Sequence, residues 1–99
     1  MTNPTIDIKS ISTSGLSSVN VKFVFISYKT RAVNLNISAC TLWPLLIKVV
    51  QDCDILEIKK PITGIYSLVN GNKRYELEWA GLKEGLSYYV ETEDEKGAL

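Results

Sequence analysis

The chain alternates between apolar and polar positions over much of its length. Ile6-Asp7-Ile8-Lys9 has the period of a half-buried strand. A turn cluster, Ser12-Thr13-Ser14-Gly15, follows it. From Val19 the alternation resumes with apolar residues on both sides. Val19, Val21, Phe23 and Phe25 share one face, and Val24, Ile26 and Tyr28 share the other. That pattern predicts an interior strand covered on both faces. Lys29-Thr30-Arg31-Ala32 is a polar turn. Beyond it Val33, Leu35, Ile37 and Ala39 alternate with Asn34, Asn36 and Ser38. The two runs predict an antiparallel pair whose second strand is half exposed.

Between residues 42 and 60 two periods compete. Leu42, Leu46, Val49, Cys53 and Leu56 recur at helical spacing, and Pro44 suits a first helical position. Ile47, Val49, Val50, Ile55 and Ile58 are β-branched and favour strand. The balance predicts a short helix near 44–53 and a strand over Ile55–Lys59, stopped by Pro61. The sharpest local signal is Asn70-Gly71, the favoured pair for a type I′ turn, where both central residues need positive φ. A two-residue loop there sets Val69 opposite Asn72, Tyr66 opposite Tyr75 and Ile62 opposite Trp79. After the turn residues Gly81 and Gly85, Tyr88, Val90 and Thr92 alternate with Tyr89, Glu91 and Glu93 as a last strand. The run Glu93–Leu99 has the composition of a solvated tail. The pattern is mainly β and antiparallel with one short helix; the alternative is an α+β arrangement of one antiparallel sheet and one helix.

The stretch Tyr75-Glu-Leu-Glu-Trp-Ala-Gly-Leu82-Lys-Glu-Gly-Leu-Ser-Tyr88-Tyr-Val-Glu-Thr-Glu-Asp94 resembles part of a fibronectin type III domain, an immunoglobulin-like β-sandwich. In that family a strand ends in Gly-Leu and a Tyr follows six residues after the Leu, as Gly81-Leu82 and Tyr88 do here. The resemblance implies a sandwich fold and a tyrosine corner, in which the Tyr88 hydroxyl bonds to upstream backbone. The chain departs from the family in two ways. Phe23 and Phe25 stand where an early core strand carries Trp, and no further strand follows the Tyr88 strand. In size and in its Ile- and Tyr-rich composition the chain also resembles small proteins of bacterial and archaeal viruses. A viral origin implies a virion or host-cytoplasm location.

Length and composition bound the rest. Ninety-nine residues suit one domain, 1–99, and leave no room for two cores. Eleven Lys+Arg balance eleven Asp+Glu, so the chain lacks the broad basic footprint of a general nucleic-acid binder. Histidine is absent, which removes Ser-His and Cys-His nucleophile pairs and the commonest metal ligand. Cys40 and Cys53 are too few to close a zinc site. A disulfide between them would contribute roughly 3 kcal/mol, but two buried thiols satisfy the sequence equally. Met1–Ser10 has neither the basic start nor the apolar core of a secretory signal. The dense apolar run Leu42–Val50 is far short of the ~20 residues of a membrane span. These features predict an intracellular protein.

Candidate chemistry is sparse. Asp52-Cys53-Asp54 surrounds its thiol with carboxylates, the reverse of what activates a thiolate. Glu91, Glu93, Asp94 and Glu95 are dense in acid but lack the ligand order of a Ca²⁺ loop. No catalytic group, metal or cofactor is assigned. The expectation is a non-enzymatic structural or protein-interaction module. If Tyr88–Glu93 lies at a sheet edge, its free backbone groups can pair with another chain or a second copy. Tyr88, Tyr89 and Val90 would supply apolar contact there, with Glu91 and Glu93 as charge blockers. The alternative is a small nucleic-acid-binding regulator that uses Lys29 and Arg31 at one turn and Lys73 and Arg74 at the hairpin tip, beside tyrosines.

Overall fold

The structure is a computed structural model that describes residues 4–8, 21–38 and 41–96. Its elements are β1 (Thr5–Ile8), β2 (Val21–Tyr28), β3 (Arg31–Ser38), α1 (Trp43–Gln51), β4 (Ile62–Val69), β5 (Asn72–Glu76), β6 (Ser87–Thr92) and α2 (Glu93–Lys96). One turn of 3₁₀ helix spans Trp79–Gly81. Val19, Ala39, Cys40 and the Ser12–Gly15 turn lie outside the described residues.

The protein is mainly β with one substantial helix. The six strands form one sheet in the order β1-β3-β2-β6-β4-β5, where the resemblance implied two stacked sheets. The sheet is mixed, not antiparallel throughout. β2–β3, β4–β5 and β4–β6 run antiparallel, but β1–β3 and β2–β6 are parallel. A parallel neighbour cannot be reached by a tight turn. The chain therefore completes the β4–β5 hairpin before β6 enters between the two hairpins and joins them.

The β4–β5 register is as the Asn-Gly turn predicts. Val69 faces Asn72 and Tyr66 faces Tyr75, and Asn70 and Gly71 have φ of 53° and 82°. The expected Ile62–Trp79 pair does not form. β5 ends at Glu76, and Trp79 turns back in the 3₁₀ segment, where its indole N–H donates to the Ile37 carbonyl at 3.1 Å.

α1 begins on an extended Leu42 with Pro44 in its first turn. Leu46 and Val50 enter the core, with Trp43, Ile47 and Val49 packed partly against it. Leu42, placed on the apolar face by its spacing, is exposed. The strand expected over Ile55–Lys59 is a run of turns. Glu57 reverses the chain with φ of 52°, and Leu56 and Ile58 are anchored in the core without a ladder partner. Burial alone satisfies their alternation; β branching is spent on packing rather than pairing.

One sheet face is closed. Val24, Ile26, Val33, Leu35, Ile37, Ile65, Tyr88 and Val90 point into the core that α1 covers. Burying each aliphatic side chain of this kind is worth about 1.5–3 kcal/mol. Cys53 joins this core as a free thiol. Among the described residues no helix is long and apolar enough to cross a membrane.

Candidate functional site

The sheet face opposite α1 carries the other set of alternating residues. β2 places Phe23 and Phe25 there, half-buried and edge to face at 5.0 Å between ring centroids. Cross-strand register brings Tyr89 of β6, Tyr66 of β4 and Tyr75 of β5 into one row. Tyr66 lies 5.6 Å from each neighbouring ring. Interior strand β2 is thus apolar on both faces, as its pattern predicts, but its second face is only half covered.

A carboxylate is set into this row. Glu91, next on β6 after the core residue Val90, is 7% exposed. The Tyr75 hydroxyl donates to its Oε2, the Thr63 hydroxyl to its Oε1 at 3.1 Å, and Lys73 Nζ approaches Oε2 at 3.3 Å. Gly64 makes room for the arrangement, since a Cβ there would stand 2.9 Å from the Tyr75 ring. Lys73 Nζ also lies 4.8 Å from the centre of the Tyr66 ring. The Tyr75 hydrogen bond is the main cause that holds the Glu91 carboxyl below its ordinary range; burial opposes it, and Thr63 and Lys73 assist. That bond also raises the Tyr75 hydroxyl above its ordinary value, and the separate Lys73–Glu91 hydrogen bond raises the Lys73 ammonium above its own.

The expectation that Tyr88–Glu93 forms a sheet edge is overturned. β6 is interior, with β2 on one side and β4 on the other. Tyr88 and Val90 point into the core and offer no surface. Glu91 is enclosed by its three partners, and Glu93 has left the strand for α2. Of the five expected partner residues, Tyr89 is half-buried on the open face. The signal was present in the residues: Tyr88 and Val90 on one side and Tyr89 on the other make β6 apolar on both faces, the same mark that identified β2 as interior. The Tyr88 hydroxyl accepts the Lys83 backbone N–H at 2.9 Å, so the local corner contact is present within a single sheet.

Among the described residues the edges of the sheet are β1 and β5. Val69 and Asn72 flank the tight turn and exchange both backbone bonds; the alternate pairs Ser67–Arg74 and Ile65–Glu76 do the same. Lys73 and Tyr75 therefore direct N–H and C=O away from β4, along an outer edge. Of eight exposed large apolar side chains among the described residues, Leu68, Val69, Tyr75 and Leu77 border this edge, and Leu77 is 78% exposed.

The four basic residues expected to act together are divided. Lys29 and Arg31 flank the β2–β3 turn, at the end of the sheet opposite the Asn70–Gly71 tip, because β4 runs against β6 and β6 runs with β2. Lys73 and Arg74 are tied instead to Glu91 and Glu76, at 3.3 and 3.6 Å. Lys29 and Arg31 have Lys59 and Lys60 as neighbours around a shared cavity. Asp52 and Asp54 stay exposed around the buried Cys53. Among the described residues no three His, Cys, Asp or Glu side chains gather as metal ligands would. Comparison with protein-family models, curated proteins and solved structures finds no match.

Proposed function

We propose that this protein is a non-enzymatic interaction module that assembles with a second copy of itself through the β5 edge. The observation that carries the reading is the outward row of backbone groups on Lys73 and Tyr75, beside exposed apolar side chains. An unpaired edge of this kind is a template for strand addition.

Charge supports a second copy as the occupant and selects its register. A two-fold axis through Tyr75 sets Arg74 opposite the partner's Glu76 and Lys73 opposite the partner's Leu77. A two-fold axis through Arg74 would oppose two arginines, which cross-strand pairing disfavours. The Tyr75-centred pairing is isologous and closes as a dimer. It continues the row of aromatic rings across the junction. Two five-residue strands bury far less than the ~1,200 Å² of a stable interface. The dimer is therefore expected to form reversibly with rising concentration.

Sedimentation velocity from low micromolar to millimolar protein tests this. The expected result is a monomer–dimer equilibrium. Lys73→Pro removes an outward N–H that β4 does not use, and edge strands tolerate proline at such positions. It should abolish the dimer, whereas Lys73→Ala, which keeps the N–H, should not. A strict monomer at millimolar concentration, or a dimer indifferent to Lys73→Pro, sinks the reading.

A further inference from the structure

We infer that the cavity at the β2–β3 turn binds a small anion carrying several phosphate groups. The cavity has a volume of about 330 Å³, at the lower end of the range for small-molecule sites. Lys29, Arg31, Lys59 and Lys60 line it against two carboxylates, Glu57 and Asp94. The chain as a whole is electrically balanced, so a local excess of two positive charges (four cations less two acids) marks this end of the sheet.

The two carboxylates balance the cations only in part. Glu57 is committed to Arg31, 2.9 Å away, and Asp94 accepts the Thr92 hydroxyl at 2.5 Å. No ion pair joins Lys29, Lys59 or Lys60 among the described residues. Lys29 lies near an aromatic ring, with Nζ 5.2 Å from the centre of Tyr28. The unpaired ammonium groups are point charges able to reorient onto phosphate oxygens, and the Arg31 guanidinium adds a planar fork.

The backbone that presents them is fixed. Lys29 and Glu57 both hold left-handed turns, with φ of 56° and 52°. Gln51 clamps the Lys59–Pro61 segment from α1: its amide N–H donates to the Lys60 carbonyl at 3.0 Å, and its oxygen accepts the Ile62 N–H at 2.8 Å. Pro61 accepts the Glu93 N–H at 3.0 Å, which ties the same segment to α2. Such a scaffold holds charges in place before a ligand arrives.

A compact polyphosphate fits these observations better than a nucleic-acid strand. A strand needs cations spread along a track, and Lys73 and Arg74 are paired to carboxylates rather than extending one. The inference is independent of the β5 edge, because none of these residues borders it.

Calorimetric titration with inorganic triphosphate at low ionic strength, combined with amide chemical-shift mapping, tests the site. The expected result is saturable one-to-one binding with shifts centred on residues 29–31 and 56–60. The double variant Lys29→Gln, Lys59→Gln should weaken binding at least tenfold while leaving the circular dichroism spectrum unchanged. Lys73→Ala should leave affinity within about twofold. Absence of saturable binding at low salt, where phosphate contacts are strongest, overturns the inference. So does binding that the double variant does not weaken, or that shifts residues elsewhere. Tight binding of a single-stranded oligonucleotide without binding of triphosphate also overturns it, in favour of a nucleic-acid surface.

Discussion

The two faces of the sheet use the same strands for different ends. On one face Val24, Val33, Leu35, Ile65 and Tyr88 are sealed from water. On the other, five aromatic rings stay half-covered, and Glu91, an enclosed ionic side chain, is held by hydrogen bonds. The contrast teaches where each property resides. Substitutions on the closed face should move stability, and substitutions on the open face or its β5 margin should move association and pH response.

The largest effect is expected at Leu35, which has no solvent exposure and sits on β3 opposite Val24. Leu35→Ala removes three carbons from a packed layer and should cost about 2–5 kcal/mol, read by urea denaturation. A loss under about 1 kcal/mol would show that the closed face is not the seat of stability, and the comparison would fail.

Glu91 is next and tests the open face. Glu91→Leu leaves the Tyr75 hydroxyl and the Lys73 ammonium without their shared acceptor, while the Thr63 hydroxyl keeps the main-chain carbonyl of residue 91 at 3.2 Å. The expected loss is about 2 kcal/mol, in the range for hydrogen bonds to a charged group. The pH dependence follows from the direction of each shift. The folded carboxyl titrates below its ordinary 4.5, so its stabilisation is complete above that value and is lost as pH falls through the lower, folded one. Tyr75 and Lys73 titrate above their ordinary 10.0 and 10.5. Their stabilisation is complete below those values and is lost as pH rises through the higher, folded ones. Thermal melts should therefore show a plateau between roughly pH 5 and 10. Glu91→Leu should flatten its acid shoulder, and an acid limb identical in the wild type and the variant would remove Glu91 from this role.

A smaller loss is expected for Tyr88→Phe. The ring stays in the core, but the Lys83 N–H loses its acceptor at 2.9 Å. The cost should be about 1 kcal/mol, with faster amide exchange at Lys83. Unchanged exchange there would mean that the hydroxyl is not what holds the turn.

What the residues disclose in advance follows the distance over which each interaction acts. The Asn70–Gly71 hairpin is legible because its register is set by two adjacent residues with positive φ. α1 is legible from Pro44 and the spacing of Leu46 and Val50. The place of β6 is not, because a parallel neighbour more than fifty residues away has no local signature; only its two-sided apolarity hints at it. The Ile55–Lys59 segment misleads because alternating burial looks the same whether or not backbone pairing accompanies it. The Glu91 cluster is hidden for a similar reason. The acid-rich run Glu91–Glu95 looks solvated until Thr63, Lys73 and Tyr75, contributed by the hairpin, are brought around Glu91.

The smallest stability change is expected at Lys73, and it separates the open face from its edge most finely. The Lys73 side chain is 48% exposed, so solvent screens its pairing with Glu91. Exposed pairs of this kind contribute about 0–1 kcal/mol. Tyr75 and Thr63 still hold the carboxylate when the ammonium is gone. Lys73→Ala should thus lower stability less than Tyr88→Phe does, with the deficit shrinking further in high salt. Its dimerisation should match the wild type, since the outward N–H and C=O remain. Lys73→Pro shares the loss of the ammonium and differs in the missing N–H, so the difference between the two variants isolates the backbone edge. Equal stability with unequal association places the interaction in the edge. Equal association in both variants would instead assign any self-assembly to the exposed rings of the open face, and Tyr66→Ala would then be the variant that dissolves it.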